Sequence, residues 1–310
     1  MTDVRGTELV TRLVDLAAQA IDAGNDELAL QSLSDALELE PSNAWANWQV
    51  GRYYGRKGAL VEAAEQYTRA VRLDPRLSSI EFTLRGHRII LHDGPGSAAP
   101  AAMLEELARD LYGLQTRVFA PGDVVVDVGA HIGSVSIVLA KLHPEIRIVA
   151  YEPSSRNFEM LTANLRENDV TNVTPVQQAV AGVAGTLELM WAASQSAGAS
   201  SVLPAEVRAS REAAGWERET VTSITLDELF AQHQIDRCAF LKLDCEGAEW
   251  EIVRAPALER VATAAVELHL PASRKGEGPE ALEREFVGLL TNRRHWPETK
   301  VPSIVWVVDS

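Results

Sequence analysis

The ten residues Val124-Val-Val-Asp-Val-Gly-Ala-His-Ile-Gly133 constrain the fold more than any other part of the chain. Successive valines suit a strand buried on both faces, as in a parallel sheet. The run reaches Asp127, Gly129 and Gly133 mark a turn, and Ser134–Leu142 reads as a helix. A strand that stops in a glycine turn and feeds a helix lets backbone approach a ligand closely. The spacing is Asp-x-Gly-x-x-x-Gly. It lacks the tight Gly-x-Gly of a pyrophosphate site, which weakens a dinucleotide reading and NAD-dependent redox chemistry with it.

Strands and helices alternate from this point. Residues 146–151, 173–177, 239–243, 264–270 and 303–308 read as strands, and 185–190 as an extra extended piece. Helices are expected after Ser154 or Ser155, from Thr225-Leu-Asp-Glu228 (a capping box), over 248–253 and near 279–292. This alternation predicts a doubly wound, mostly parallel sheet over residues 121–310, with ligands bound beyond the carboxyl ends of the strands. Asp127, Glu152, Asp244 and His269 all fall at or near such ends.

Ahead of this domain, residues 1–77 repeat with a period of 34: Gly24 matches Gly58, Ala29 matches Ala63, Ala36 matches Ala70 and Pro41 matches Pro75. Helix pairs are expected at 8–22 with 26–39 and at 43–56 with 60–73. The period, the small residues at helix contacts and the closing proline resemble the tetratricopeptide repeat. Asn47 stands where that motif usually has tryptophan. Two copies are fewer than such arrays need, so the repeats should lean on the catalytic domain, on a twin subunit, or hold a peptide or carrier-protein partner. Residues 78–120 read as a linking segment: a hairpin over 80–91 turning at Arg85-Gly86, then a helix over 101–116.

Composition narrows the partners. A net charge of −15 with no basic run argues against nucleic acid. No apolar run approaches membrane-spanning length and no leader is evident, which gives a cytoplasmic expectation. Cys238 and Cys245 match no metal pattern and read as small buried residues, with a redox pair or a nucleophilic Cys245 as the alternative.

The combination Val126-Asp-Val-Gly-Ala-His-Ile-Gly133, Tyr151-Glu-Pro153, Asn157 with Asn164, Thr225-Leu-Asp-Glu-Leu229 and Leu241-Lys-Leu-Asp-Cys-Glu-Gly-Ala-Glu249 resembles the FkbM family of methyltransferases over roughly residues 80–270. Relatives commonly have Phe at Tyr151 and Asn at His131. The resemblance implies a Rossmann-like class I methyltransferase fold and transfer of the methyl group of S-adenosyl-L-methionine, most often to a hydroxyl of a sugar, polyketide or peptide natural product. It implies that Asp127, Gly129, Ala130, His131 and Gly133 cradle the methionine part and that Glu152 with Pro153 holds the ribose. Gln178 and Ala179 would border the adenine, and Asp244 would stand near the sulfonium and the acceptor.

An alcohol acceptor needs a general base, and Asp244, Glu246, His269 and His131 are the candidates. His269 stands out because imidazole titrates near neutral pH. Strand-end acids can also hold Mg2+, but no complete ligand set stands out and the sequence assigns no metal site. Lys242 reads either as an acceptor-polarising group or as a structural ion pair, and Glu249 and Glu251 as a solvated face. Residues 192–218 read as a mobile loop that closes over the acceptor. N-methyl or carboxyl-methyl transfer, or an inert domain carrying a repeat-mediated interaction module, are the rival readings.

Overall fold

A computed structural model describes residues 4–192, 212–213, 215–245, 247–269, 284–286, 288 and 304–308. The chain divides into two compact units, Met1–Arg109 and Asp110–Ser310.

The first unit opens with four helices, α1 Val4–Ala23, α2 Asp26–Leu39, α3 Ala44–Arg56 and α4 Leu60–Leu73. They fall where the period of 34 places them, because the small residues at matching positions let successive helices touch. Ala17, Ala20, Ala29 and Leu33 close the first pair. A Cβ on Gly51 would meet the Tyr67 ring at 2.9 Å. Asn47, in the tryptophan position, is buried and donates to the Asn43 carbonyl at 2.7 Å.

The hairpin β1 Ser79–Leu84 and β2 His87–His92 pairs antiparallel about Arg85-Gly86, both with positive φ, as a tight two-residue hairpin turn requires. It packs on the second helix pair. Trp48 Nε1 donates to the Ser79 carbonyl at 2.7 Å, and the buried Tyr67 hydroxyl donates to the Glu81 carbonyl at 2.6 Å. Glu81 accepts from Arg52, Arg56 and Arg88 at 2.9–3.0 Å. Part of the second helix pair is thus covered within its own unit. Helix α5 spans Ala99–Arg109 and packs on α4. It is shorter than the leucine spacing predicts: Asp110 and Gly113 both take positive φ and turn the chain. That turn takes Tyr112 out of the helix.

In the second unit a six-stranded sheet has the order β11-β10-β9-β3-β4-β5, every neighbouring pair parallel. The strands are β3 Val124–Val128, β4 Arg147–Tyr151, β5 Val173–Val176, β9 Cys238–Leu243, β10 Val261–His269 and β11 Ile304–Val308. Helices α6 Ser134–Leu142 and α7 Ser155–Glu167 lie between the first three, and α8 Leu226–Gln232 precedes β9. The chain starts at the centre, runs outward to β5, then returns beside β3 and runs outward again. The gap between the ends of β3 and β9 is therefore a topological switch point, where ligands bind in such sheets. This is the predicted doubly wound α/β architecture.

A second sheet, β6 Ala179–Val180, β7 Gly185–Ala192 and β8 Trp216–Ile224, has the order β6-β8-β7. Part of the stretch read as a mobile loop is therefore strand from Trp216 onward; residues 193–211 lie outside the described residues. The capping box at Thr225 and Glu228 is present, and Asp227 accepts from the Ala257 backbone at 2.9 Å. Most of the helix expected near 279–292 also lies outside the described residues. Among the described residues, no helix is long and apolar enough to cross a membrane.

Candidate active site

The glycine turn is held by backbone on two sides. The N–H groups of Gly129 and Ala130 both donate to the Tyr151 carbonyl at 2.9 Å, which ties the end of β3 to the end of β4. The Asp244 N–H donates to the Val128 carbonyl at 3.1 Å, which ties the other side to β9. Gly129 has φ +76°, and a Cβ there would sit 1.7 Å from the Asp244 carbonyl oxygen. Only glycine fits. Gly133, also at positive φ, starts α6.

Glu152 stands just past β4, almost fully buried. Its Oε2 accepts the His131 N–H at 2.8 Å and its Oε1 the Ser154 N–H at 2.9 Å, with Asn157 Nδ2 at 3.4 Å. Burial pushes its carboxyl up to about 7, against the pull of those donors. His131, at φ +50°, thus enters the site through its backbone. Asn164, about two turns further along α7, donates to the Ile132 carbonyl at 2.9 Å. The two asparagines of the motif therefore hold the acid and the turn respectively. Pro153 leads into Ser154, which opens α7 without a side-chain capping bond. Gln178 and Ala179 lie at the bend from β5 into β6. The Tyr151 hydroxyl, the departure from the family pattern, pairs with His233 Nε2 at 2.9 Å.

Between the two strand ends lies a buried ion group. Asp127, fully buried, accepts from Ser136 Oγ at 2.7 Å through Oδ2. Its Oδ1 has no hydrogen-bond donor and stands 3.5 Å from Lys242 Nζ. Lys242 donates to the Gly129 carbonyl at 2.6 Å and pairs with Asp244 Oδ2 at 3.1 Å. Burial alone would pull its ammonium down; the Asp244 and Asp127 carboxylates outweigh that and hold it above its ordinary range. Lys242 is therefore committed to a structural ion pair, one of the two roles its position offered.

At the end of β10, His269 is buried, its Nδ1 3.1 Å from Glu249 Oε1 and its Nε2 4.0 Å from Glu267 Oε1. The Tyr112 hydroxyl bridges Glu267 Oε2 at 3.1 Å and Asp244 Oδ2 at 3.3 Å. Burial first, and Asp244 second, push the Glu267 carboxyl up. One polar atom each of Asp244, Glu267 and His269 lies within 4.8 Å of the others. These atom types could also ligate a cation, but the Lys242 ammonium already compensates Asp244.

Three residues of this cluster escaped the sequence reading. Glu267 sits two positions before His269 and so shares its face of the strand, a period-2 signal that was available. Tyr112 was hidden by the helix expected to run through it. Glu249 is a correction: expected on a solvated face, it is fully buried in the short helix α9, Glu249–Ile252. It accepts the Cys245 N–H at 2.8 Å and the Gly247 N–H at 2.9 Å. Glu246 lies outside the described residues. Burial, with the Glu249 and Asp244 carboxylates, holds the Cys245 thiol well above its ordinary range, which disfavours a nucleophilic thiolate. Both cysteines are free.

The sequence is similar to those of known methyltransferases. The methyltransferase sdnD of Sordaria araneosa is 27% identical over 198 residues, covering 56% of this chain and 76% of that protein. In the repeat region, a probable UDP-N-acetylglucosamine--peptide N-acetylglucosaminyltransferase SPINDLY of Solanum lycopersicum is 46% identical over 48 residues, 16% of this chain and 5% of that protein. A solved structure of P. horikoshii TYW2 in complex with MeSAdo overlaps 33% of this chain and 36% of its own, at 18% identity and a TM-score of 0.24. The methyltransferase FkbM domain model matches residues 127–293, more than half of the chain and all of the site except Tyr112. The chain belongs to the FkbM methyltransferase family.

Proposed function

We propose that the second unit binds S-adenosylmethionine across the switch point and transfers its methyl group to an acceptor hydroxyl, with His269 as general base. One observation supports this most: the glycine turn with Glu152, and the cluster Asp244, Glu267, His269 and Tyr112, converge on the ends of β4, β3, β9 and β10. The residues suit the cofactor. The turn is a cradle that a Cβ would fill, Asp127 Oδ1 is a buried acceptor without a donor, and Glu152 offers a carboxylate where a ribose would lie.

When bound, S-adenosylmethionine supplies an electrophilic methyl carbon on a sulfonium. The protein's part is alignment, worth roughly 7–11 kcal/mol at the ceiling. Glu152 would accept the ribose hydroxyls, Gly129 to Gly133 would lie against the methionine portion, and Gln178 with Ala179 would border the adenine. His269 Nε2 would accept the proton of the acceptor hydroxyl. Asp244, Glu267 and Tyr112 orient the acceptor by hydrogen bonds.

The test is mass spectrometry for the gain of one CH2 unit across sugar, polyketide and peptide hydroxyl acceptors. His269→Ala should lower turnover by about 10²–10⁴-fold while cofactor affinity is retained. Wild-type turnover in that variant removes His269 as the base, and methylation confined to amines or carboxylates overturns the hydroxyl assignment.

A further inference from the structure

Glu249 belongs to no proposed cofactor contact, yet it is as fully buried as Asp127. Its Oε1 faces two partners, the Cys245 N–H at 2.8 Å and His269 Nδ1 at 3.1 Å, and its Oε2 takes the Gly247 N–H at 2.9 Å. A carboxylate can only accept, so the bond to His269 requires the proton on Nδ1. In the neutral ring Nε2 then carries the lone pair, on the side where Glu267 Oε1 stands at 4.0 Å. The backbone of the residue is held as well, because the His269 carbonyl accepts from Trp250 Nε1 at 3.1 Å. Residues Cys245 and Gly247 belong to the loop that follows Asp244, so one side chain clamps both the loop and the imidazole.

We infer that Glu249 is a positioning residue: it selects the Nδ1–H tautomer of His269 and turns Nε2 toward the side of Glu267 and Asp244, coupling the base to the Asp244 loop. The catalytic relevance of this clamp rests on the reading of His269 as the base; the tautomer itself does not. Oriented carboxylate–imidazole pairs work this way in nucleophile-activating sites, where a wrong tautomer is inactive although the geometry is kept.

The test uses the full chain labelled with 15N, the His269 imidazole being assigned by its loss in His269→Asn. At a pH of about 8, above the usual imidazole range, wild-type His269 should show Nδ1–H with an unprotonated Nε2. Glu249→Ala should revert it toward the Nε2–H form that free side chains prefer. S-adenosylmethionine affinity by calorimetry should stay within about three-fold, under 1 kcal/mol. Since Glu249→Ala strands two loop N–H groups and could fail to fold, Glu249→Gln is the companion: its Oε1 can still accept, so Nδ1–H should persist. An Nε2–H tautomer in the wild type overturns the inference. So does an unchanged tautomer in folded Glu249→Ala, or a loss of cofactor affinity far beyond three-fold. If the tautomer behaves as stated but His269→Ala keeps full turnover, the clamp stands and the base assignment fails.

Discussion

Two carboxylates at the strand ends on either side of β3 are kept different by what surrounds them. Glu152 is buried with neutral donors, so its carboxyl is pushed up to about 7. Asp244 is half-buried and sits on the Lys242 ammonium. The sign for Glu152 follows from linkage. Its folded value lies above the unfolded carboxylate value of about 4.3, so the folded state binds more protons in between. Its contribution to stability is therefore fully present at the acid side and is lost as pH rises toward 7. Cofactor affinity should run the other way, rising with pH through about 7 as the ribose-accepting carboxylate forms. Denaturant titrations and calorimetry across this range should show both trends, and Glu152→Gln should flatten both. Gly129 is constrained twice, by φ and by the Asp244 carbonyl. Gly129→Ala should cost at least about 2 kcal/mol in urea unfolding, the scale of a forced backbone conformation, and should reduce cofactor binding more than its stability loss explains.

At the level of elements, the hairpin does for the repeats what further repeats would do in a longer array. Glu81 is its anchor. Burial would raise this carboxyl, but Arg88, Arg52 and Arg56 together hold it down at about 2. A depressed acid contributes stability above its unfolded value, lost as pH falls through about 2, so the first unit should weaken below about pH 4. Glu81→Ala should destabilise it by about 3–5 kcal/mol, since it breaks a buried ion group and leaves Arg52 with only the exposed Asp22. Circular dichroism of the α-helical signal in urea would read this out; a change under about 1 kcal/mol would mean the ion group is not anchoring the hairpin. The helices of this unit were legible because three small residues and a proline recur at one period, and the hairpin because Arg85-Gly86 interrupts an alternating run. The end of α5 was not, because the leucine spacing continues past Arg109 while the backbone turns at Asp110. The strand from Trp216 was missed for the opposite reason: its polar alternation, Glu217, Glu219 and so on, belongs to a half-exposed sheet and reads like a loop.

On the scale of the whole chain, the parallel sheet, its switch point and the family were all written in local strings, since each strand end carries its own marker. The site was legible only as far as those markers went. Asp127, Gly129, Glu152, Asp244 and His269 do gather at the strand ends. Tyr112 and Glu249 act through contacts that no string encodes: 132 residues separate Tyr112 from Asp244, and Glu249 is buried by tertiary packing that its charge argued against. The central claim is that this family domain binds S-adenosylmethionine through Glu152 at the β4 end. Isothermal calorimetry of S-adenosylmethionine against the full chain and against Glu152→Ala tests it most directly. The account predicts saturable one-to-one binding by the wild type and at least about ten-fold weaker binding, some 1.4 kcal/mol, by the variant. No binding by the wild-type chain, or equal affinity in the two proteins, would contradict it.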